Sequence, residues 1–419
     1  MRSIRLLLAC LLPACLLLAP AMLAGVAHAA PLTYGAALAA ADRSAPSLQA
    51  KTLDVDAARS MAIAAGRLPD PKVRVGLDNF PVSGPPAGRF GPDSMTMASI
   101  GVIQDVPNGD KRRAARERAA ADIGAADTGR LAEARTVRLN TALAWTDLFF
   151  AERKLAALDD VERALAPLRA TAPSQVASGA ARAGQALEAD QLIAALGDRR
   201  TDLQAAVGKA QAELARWTGD PQAEVAGEPP TYTVDPVALR AGIETLPSLR
   251  AYDDMGRQAD ADFAAAKADK HPDWSWDVAY QHRDPRWGDM VTVGATVRLP
   301  LFAGTRQDPV IAARRETADR VRLDREAARR ELVAALDASL ADHAMHHDRL
   351  HRSQETLVPL ARRRADLETA SYAAGTAGLA DVLQALLALA EARVDLVDRE
   401  ADVVRDGARI VLTYGSNDQ

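Results

Sequence analysis

Cysteine and aromatic residues are scarce in this sequence of 419 residues. Both cysteines, Cys10 and Cys15, lie in an N-terminal apolar segment, which excludes a disulfide framework and thiolate chemistry from the rest of the chain. Aromatic residues make up only 4%, and this favours helices packed through small side chains over a bulky globular core. No Ser or Cys nucleophile motif, phosphate-binding loop or His-Glu-x-x-His is present. We therefore predict neither an enzyme nor a bound cofactor.

The N-terminus has the pattern of a secretory signal peptide. Arg2 and Arg5 precede an apolar run over residues 6–26, and Ala27-His28-Ala29 fits a small-x-small cleavage site. We predict a signal peptide over residues 1–29, with an uncleaved anchor helix as the alternative. Removing its two arginines makes the net charge more negative than the −5 of the whole chain, which disfavours nucleic acid as a partner.

Two nearby glycines, Gly375 and Gly378, interrupt a helical pattern in the second half of the chain. After them, apolar residues recur at every seventh position in two adjacent stripes. The stripes are Val382, Leu389, Leu396, Val403 and Ile410, and then Leu383, Ala390, Val397, Val404 and Val411. This spacing suits a helix packed between two neighbours. The glycines therefore predict a tight turn between two long helices.

The same helical hairpin occurs earlier in the chain. Ser178-Gly179 is similar to Ala374-Gly375, and residues 186–189 are similar to residues 382–385. The separation along the chain is the same for both pairs. The order of the other segments also repeats, which predicts an internal duplication. The predicted segments are a signal peptide (1–29), a first repeat (30–218) with a β-hairpin (72–106) and a helical hairpin (108–218), a Pro-rich connector (219–246), and a second repeat (247–419) with a β-hairpin (274–299) and a helical hairpin (307–413).

The two β-hairpins alternate apolar and polar residues over strands of about ten residues, a length that crosses a membrane as a tilted strand. Four strands cannot close a barrel, and an open edge is not tolerated in lipid, so several chains would have to share one barrel. The residues then expected to face lipid are Val291, Val293, Ala295 and Val297. The alternative is a small soluble sheet that covers one end of a helical bundle. Either way the fold class is mainly α with a small β part.

Four histidines lie close together at His343, His346, His347 and His351. Three of them are spaced i, i+4, i+8, so neighbouring pairs can share a helix face and chelate a borderline-soft cation in transit. The alternative is a polar helix face exposed to water. A run of three arginines, 362–364, is interpreted as a solvated helix face.

The segment Tyr-Ala-Ala-Gly-Thr at 372–376, followed by Asp-Val-Leu at 381–383, resembles the periplasmic tip turn of the TolC-type outer-membrane efflux channel family. The strand-to-helix junctions that contain Pro107 and Pro300 also resemble that family. The resemblance covers essentially all of the chain after the leader. It rests on the repeated order of helix, hairpin, long helix, glycine turn and returning helix.

The resemblance implies a homotrimer with a twelve-stranded β-barrel continued by a twelve-helix α-barrel. It implies a passive duct in the outer membrane of a Gram-negative bacterium, with a long periplasmic part, a periplasmic adaptor (membrane fusion protein) and an inner-membrane pump. The run Asn-Gly-Asp-Lys-Arg at 108–112 looks most like the sequences of the heavy-metal cation efflux branch of the family. This similarity implies an RND-type pump. Drug efflux and type I secretion are alternative tasks. A soluble periplasmic coiled-coil adaptor and a metal-sequestering protein are alternatives of another class.

The resemblance also assigns roles near the tip. The residues that correspond to tip turns and adaptor docking are Gly179, Gly375, Thr376, Gly378 and Leu379. Asp381 stands at the position where the family carries a constricting aspartate, which is the pore gate. Gln384 stands at a second position that is acidic in the family. Because this residue is a glutamine here, the resemblance does not imply a double acidic ring. Because Asp381 comes early in the returning helix, a role as a helix cap alone is the alternative.

Overall fold

The computed structural model describes residues 31–177 and 183–415. Its helices are α1 (Tyr34–Ser44), α2 (Pro46–Ala64), α3 (Gly109–Ala177), α4 (Ala183–Thr218), α5 (Pro236–Gly242), α6 (Pro247–Ala268), α7 (Ala303–Arg352), α8 (Val358–Ala373) and α9 (Leu379–Tyr414). Its strands are β1 (Leu32–Thr33), β2 (Lys72–Asp78), β3 (Met97–Val106), β4 (Val225–Ala226), β5 (Asp273–His282) and β6 (Met290–Arg298). The predicted class, mainly α with a small β part, is confirmed. The predicted signal peptide and Gly179 lie outside the described residues.

The longest element, α3, has 69 residues and extends about 100 Å at 1.5 Å per residue. It packs against α2 and α6 near the sheet, and against α4 and α9 farther away. Leu158 of α3 meets Leu196 and Leu203 of α4 and Leu383 and Ala390 of α9 in one apolar cluster. The heptad positions of α9 therefore lie in the seam between helices. Across the described ranges, no helix is long and apolar enough to cross a lipid bilayer.

The first arm of the helical hairpin predicted over 307–413 is not one uninterrupted α-helix. The structure starts it at Ala303 and inserts a π-helical turn, Ser353–Leu357, between α7 and α8. Pro359 follows directly and cannot donate a backbone hydrogen bond. At the turn, the Val358 N–H bonds to the carbonyl of Ser353, five residues back instead of four. The Ser353 side chain is thereby buried between the helices.

The segment predicted as a plain connector, 219–246, also contains regular structure. Its strand β4 pairs in parallel with β1 at the start of the described chain, and α5 follows. The indole Nε1 of Trp145 in α3 donates to the carbonyl of Leu32 at 2.8 Å, which ties β1 to the helical body. Strands of two residues carry no periodicity, so alternation could not reveal them.

The four longer strands form one antiparallel sheet in the order β2, β3, β5, β6. Val102 of β3 lies opposite both Val73 of β2 and Val278 of β5, and Val278 in turn lies opposite Val293 of β6. The two hairpins, although far apart in sequence, are therefore joined through β3 and β5. In this sheet β2 and β6 are the edges, each paired on one side only.

Candidate functional site

One face of the sheet is apolar across all four strands. Because opposite residues of paired strands share a face, the register fixes its members. They are Val73, Val75 and Leu77 of β2; Ala98, Ile100, Val102, Gln104 and Val106 of β3; Trp274, Trp276, Val278, Tyr280 and His282 of β5; and Val291, Val293, Ala295 and Val297 of β6. Gln104, His282 and the Tyr280 hydroxyl are its polar groups. The four residues predicted to face lipid all belong to this apolar face.

The apolar face is the uncovered face of the sheet. Along β5 the apolar positions are exposed and the alternate positions half-buried, with Trp276 and Val278 about half accessible at 53% and 50%. A soluble sheet shows the reverse pattern, since its apolar side packs on a core. This arrangement does not fit a soluble sheet capping a bundle. It fits an apolar solvent on the outside of the sheet.

The opposite face carries small and polar side chains. Gly101 in β3 lies so close to β5 that a Cβ there would be 2.9 Å from the Cβ of Ala279. A Cβ at Gly294 would be 2.4 Å from a carboxylate oxygen of Asp277. Small residues at such positions permit close backbone approach on this side. Polar groups of this face also bond across the hairpin, as where Gln281 Nε2 donates to Thr292 Oγ1 at 2.8 Å.

Asn108 organises the first strand-to-helix junction, just after Pro107 ends β3. Its side-chain amide donates to the carbonyl of Ala268 and to Asp273 Oδ1, both at 3.0 Å. Its side-chain oxygen accepts from the backbone N–H of Lys111 at 3.0 Å, which caps α3. The first repeat is thus bonded to the start of the second β-hairpin. In the sequence this asparagine stands out only as part of the family-like run at 108–112. Its position between a strand-ending proline and a helix is the signal that could have revealed its role as a cap.

Lys111 adds charge to the same junction. Its ammonium lies 2.8 Å from Asp269 and 2.6 Å from Asp273. Partial burial works against the charged form, but the hydrogen bonds to the two carboxylates outweigh it and raise the pKa of Lys111. At the second junction Pro300 follows β6, and the neighbouring Phe302 is exposed. The two predicted proline positions therefore both mark the passage from sheet to helix.

Backbone geometry explains the glycine at the described tip turn. Gly375 has φ +75°, in the left-handed region that costs glycine nothing. The N–H of Thr376 bonds to the carbonyl of Ser371 at 2.9 Å, and that of Gly375 to the carbonyl of Tyr372 at 2.9 Å. These two bonds close the end of α8 as a Schellman-type cap. Gly378 then serves as the N-cap of α9.

Residues 243–416 match the family model described as outer membrane efflux protein. The match covers 174 of the 419 residues, and it makes this part of the chain similar to that family. No curated protein matches the sequence significantly.

Solved structures extend the likeness over nearly the whole chain. A membrane protein from Pseudomonas aeruginosa has a TM-score of 0.80 at 17% identity, covering 91% of this chain and 90% of that one. CusC, described with its transmembrane channel formation, has a TM-score of 0.79 at 15% identity, covering 92% of both chains. The outer membrane protein VceC from Vibrio cholerae has a TM-score of 0.77 at 18% identity, covering 92% of this chain and 97% of that one. At these identities the likeness establishes the fold.

Within the part that the family model matches, Asp381 acts as a helix cap in the single chain. Its Oδ2 accepts a hydrogen bond from the backbone N–H of Gly378 at 3.0 Å. Asp381 and Gln384 are both exposed on one side of α9, while Val382 and Leu383 are buried on the other. The cap geometry leaves one carboxylate oxygen of Asp381 for other contacts. Its role as a pore gate therefore stays a prediction.

Leu379 was predicted to take part in adaptor docking, and that role stays a prediction. It is the first residue of α9 and only 3% exposed, because it packs into the cluster around Leu383. It anchors the turn to the helical body. The side of the turn available to a partner is formed by Gly375, Thr376 and Gly378.

The four histidines do not converge. Within the described ranges no group of three or more His, Cys, Asp or Glu is placed to hold a metal ion. His346 instead bonds to Asp406 of α9 through Nδ1 at 2.5 Å. The rings of His343 and His347 meet edge to face with centroids 4.6 Å apart, and burial together with the neighbouring His347 lowers the pKa of His343. His351 is exposed one turn farther along.

Proposed function

We propose that this protein is the outer-membrane channel subunit of a tripartite exporter. Three copies would close one barrel from four strands each, and their long helices would continue it as a tunnel through the periplasm. The observation that carries this proposal is the largely apolar and exposed sheet face, together with unpaired edges at β2 and β6. In lipid such edges have to pair, and pairing between copies satisfies them.

The periplasmic end would dock an adaptor, and through it an inner-membrane pump. Support comes from the tip turn at Gly375, which presents a short exposed backbone segment at the end of two packed helices. The similar structures include the outer-membrane channel OprN and the outer membrane protein VceC, which agrees with this position in an exporter. The protein itself supplies a passage, and energy is supplied at the inner membrane.

Heavy-metal cations moved by an RND-type pump are the cargo that we propose. This step rests on the family-like run at 108–112 and on the histidines at the α7–α9 contact. The histidines offer paired rings and no closed set of three ligands among the described residues. A cation would therefore be passed along and released, as a duct requires.

Membrane extraction and complementation test the proposal in two steps. The full-length protein should need detergent to leave the outer-membrane fraction, and light scattering should give three times the mass of the processed chain. A strain lacking the gene should lose resistance to divalent metal salts and regain it from a plasmid copy. Recovery as a monomer without detergent would contradict the channel. Normal metal resistance beside increased drug sensitivity would contradict only the cargo.

A further inference from the structure

The helices next to the sheet form a layer with a cleft on each of its two sides. Where the strands end, α6 lies between α3 and α7 and packs on both. One cleft is lined by Lys111, Asp273 and Arg298, among others. Asp273 and Arg298 lie opposite each other in the sheet and alternate with the apolar face. This first cleft therefore continues the polar face of the sheet.

The second cleft, which we name the outer cleft, has a volume of about 460 Å³, and its lining includes Arg113, Phe263, Lys267, Lys270, His271 and Ile311. On α3, Arg113 points about 160° away from Lys111 of the first cleft, because each residue turns an α-helix by about 100°. On α6, Ala264 of the outer cleft points about 140° away from Asp269 of the first cleft. His271 follows the end of α6 and borders both clefts. The outer cleft therefore lies on the side of the apolar sheet face.

The carboxylates around the outer cleft are already engaged. Arg113 forms an ion pair with Asp110 at 2.6 Å, and Nδ1 of His271 lies 2.6 Å from the same carboxylate. Lys270 forms an ion pair with Asp308 of α7. These contacts neutralise Arg113 and Lys270, and no carboxylate of the two is left for a further cation.

Lys267 is the cation of the outer cleft that lacks a carboxylate. It is exposed and forms no ion pair with any residue that the structure describes. Its ammonium lies 5.4 Å from the ring centroid of Phe263, a contact that leaves its other sides free. Phe263 and Ile311 are partly buried and give the cleft an apolar floor. An apolar floor beneath an unmatched positive charge suits an anionic group that is joined to an apolar one.

The outer cleft lies next to the end of the apolar sheet face. The last apolar row of the sheet is Val106, Trp274 and Val297, and Trp274 is 47% exposed. Lys270 comes four residues before Trp274, so at most about 13 Å of chain separates them. Tryptophan favours the membrane–water interface, and lysine extends its ammonium along apolar surface toward the headgroups. In the proposed channel the outer cleft therefore lies at the level of the headgroups of the periplasmic leaflet.

We propose that the outer cleft binds the headgroup of an anionic phospholipid of that leaflet. The phosphodiester accepts from the ammonium groups of Lys267 and Lys270, and Phe263 and Ile311 contact the glycerol and the first acyl carbons. Lys270 keeps its ion pair with Asp308, because an ammonium has three donors. A free phosphate would use the cations and leave the apolar floor empty, so the cleft favours a lipid. This inference rests on the proposed position in the membrane and adds a lipid ligand where sheet and helices join.

Native mass spectrometry of the full-length protein tests the site. The protein is purified in detergent, and equal amounts of phosphatidylglycerol and phosphatidylcholine are added. About one phosphatidylglycerol per chain should stay bound at collision energies that remove phosphatidylcholine. Lys267→Gln with Lys270→Gln should lower the retained phosphatidylglycerol several-fold. The matched control is Lys51→Gln with Lys209→Gln, which also removes one paired and one unpaired lysine but on α2 and α4, and it should retain as much as the wild type.

Thermal unfolding separates a lipid from a free anion. Phosphatidylglycerol in the micelles should raise the unfolding temperature of the wild type and the control, and Lys267→Gln with Lys270→Gln should lose most of that rise. Inorganic phosphate at the same ionic strength should give no rise. A rise with inorganic phosphate equal to that with phosphatidylglycerol would assign the cleft to a soluble anion and overturn the inference.

The two proposals fail in different ways. Equal retention of the two lipids, or full retention by Lys267→Gln with Lys270→Gln, would overturn the lipid site. A trimer that still conducts ions in that experiment would leave the duct intact. A protein that needs no detergent and forms no trimer would overturn the proposed function as well.

Discussion

An arginine at Val293 would test the lipid-facing assignment where it matters most. Val293 is 68% exposed, lies opposite Val278, and is one residue from the middle of the nine-residue strand β6. It would therefore sit close to the bilayer midplane. An arginine there costs about 2–4 kcal/mol in an outer-membrane barrel. Three copies in one assembly raise the total to about 6–12 kcal/mol.

The assay is the heat-modifiable trimer band from outer-membrane fractions. Val293→Arg should reduce that band at least about tenfold, since about 1.4 kcal/mol already corresponds to a factor of ten. Thr292→Arg is the matched control, because residue 292 lies on the polar face. It loses only the two hydrogen bonds with Gln281, a net cost of about 1–2 kcal/mol per chain at this exposed site. Equal trimer yields from the two variants would refute the assignment of faces.

Three further variants probe the tip and the junction. Gly375→Val places a β-branched residue at φ +75°, which strains the turn by about 1–3 kcal/mol. It should leave the trimer intact and abolish export, and unchanged metal resistance in cells would contradict the docking role. Asp381→Asn keeps an oxygen that accepts from the Gly378 N–H and removes the charge. If a carboxylate ring gates the pore, cation selectivity in single-channel recordings should fall. Unchanged selectivity would leave Asp381 with its role as a helix cap alone. Asn108→Ala removes the hydrogen bonds to Asp273 and to the end of α6, which should lower the free energy of unfolding by about 1–3 kcal/mol. The thermal unfolding temperature should fall accordingly, and an unchanged temperature would show that the junction does not depend on Asn108.

Alternation and heptad spacing allowed much of this fold to be predicted. The period of two marked the strands around Val278 and Val293, and the period of seven marked the packed side of α9. Pairing between β3 and β5 could not be predicted, because strands so distant in sequence share no local signal. The π-helical turn before Pro359 was missed for a related reason. Proline signals a break, but the form of the break depends on how Ser353 packs between neighbouring helices.

The candidate site was predictable to different degrees. Gly375 was found because a left-handed turn leaves a clear residue preference. The burial of Leu379 was not, since a leucine beside a turn can anchor it or remain exposed, and only the packing against Leu383 decides. The histidine spacing predicted shared faces on one helix. It could not predict that Asp406 of another helix would engage His346.

Single-channel recording on the purified full-length protein tests the central claim most directly. The protein is solubilised in detergent, its trimeric mass is confirmed by light scattering, and it is added to a planar lipid bilayer between salt solutions. The account predicts discrete, uniform conductance steps that depend on the trimer and disappear in preparations of Val293→Arg. A folded trimer that enters the bilayer and conducts no ions would contradict the account of this chain as a duct.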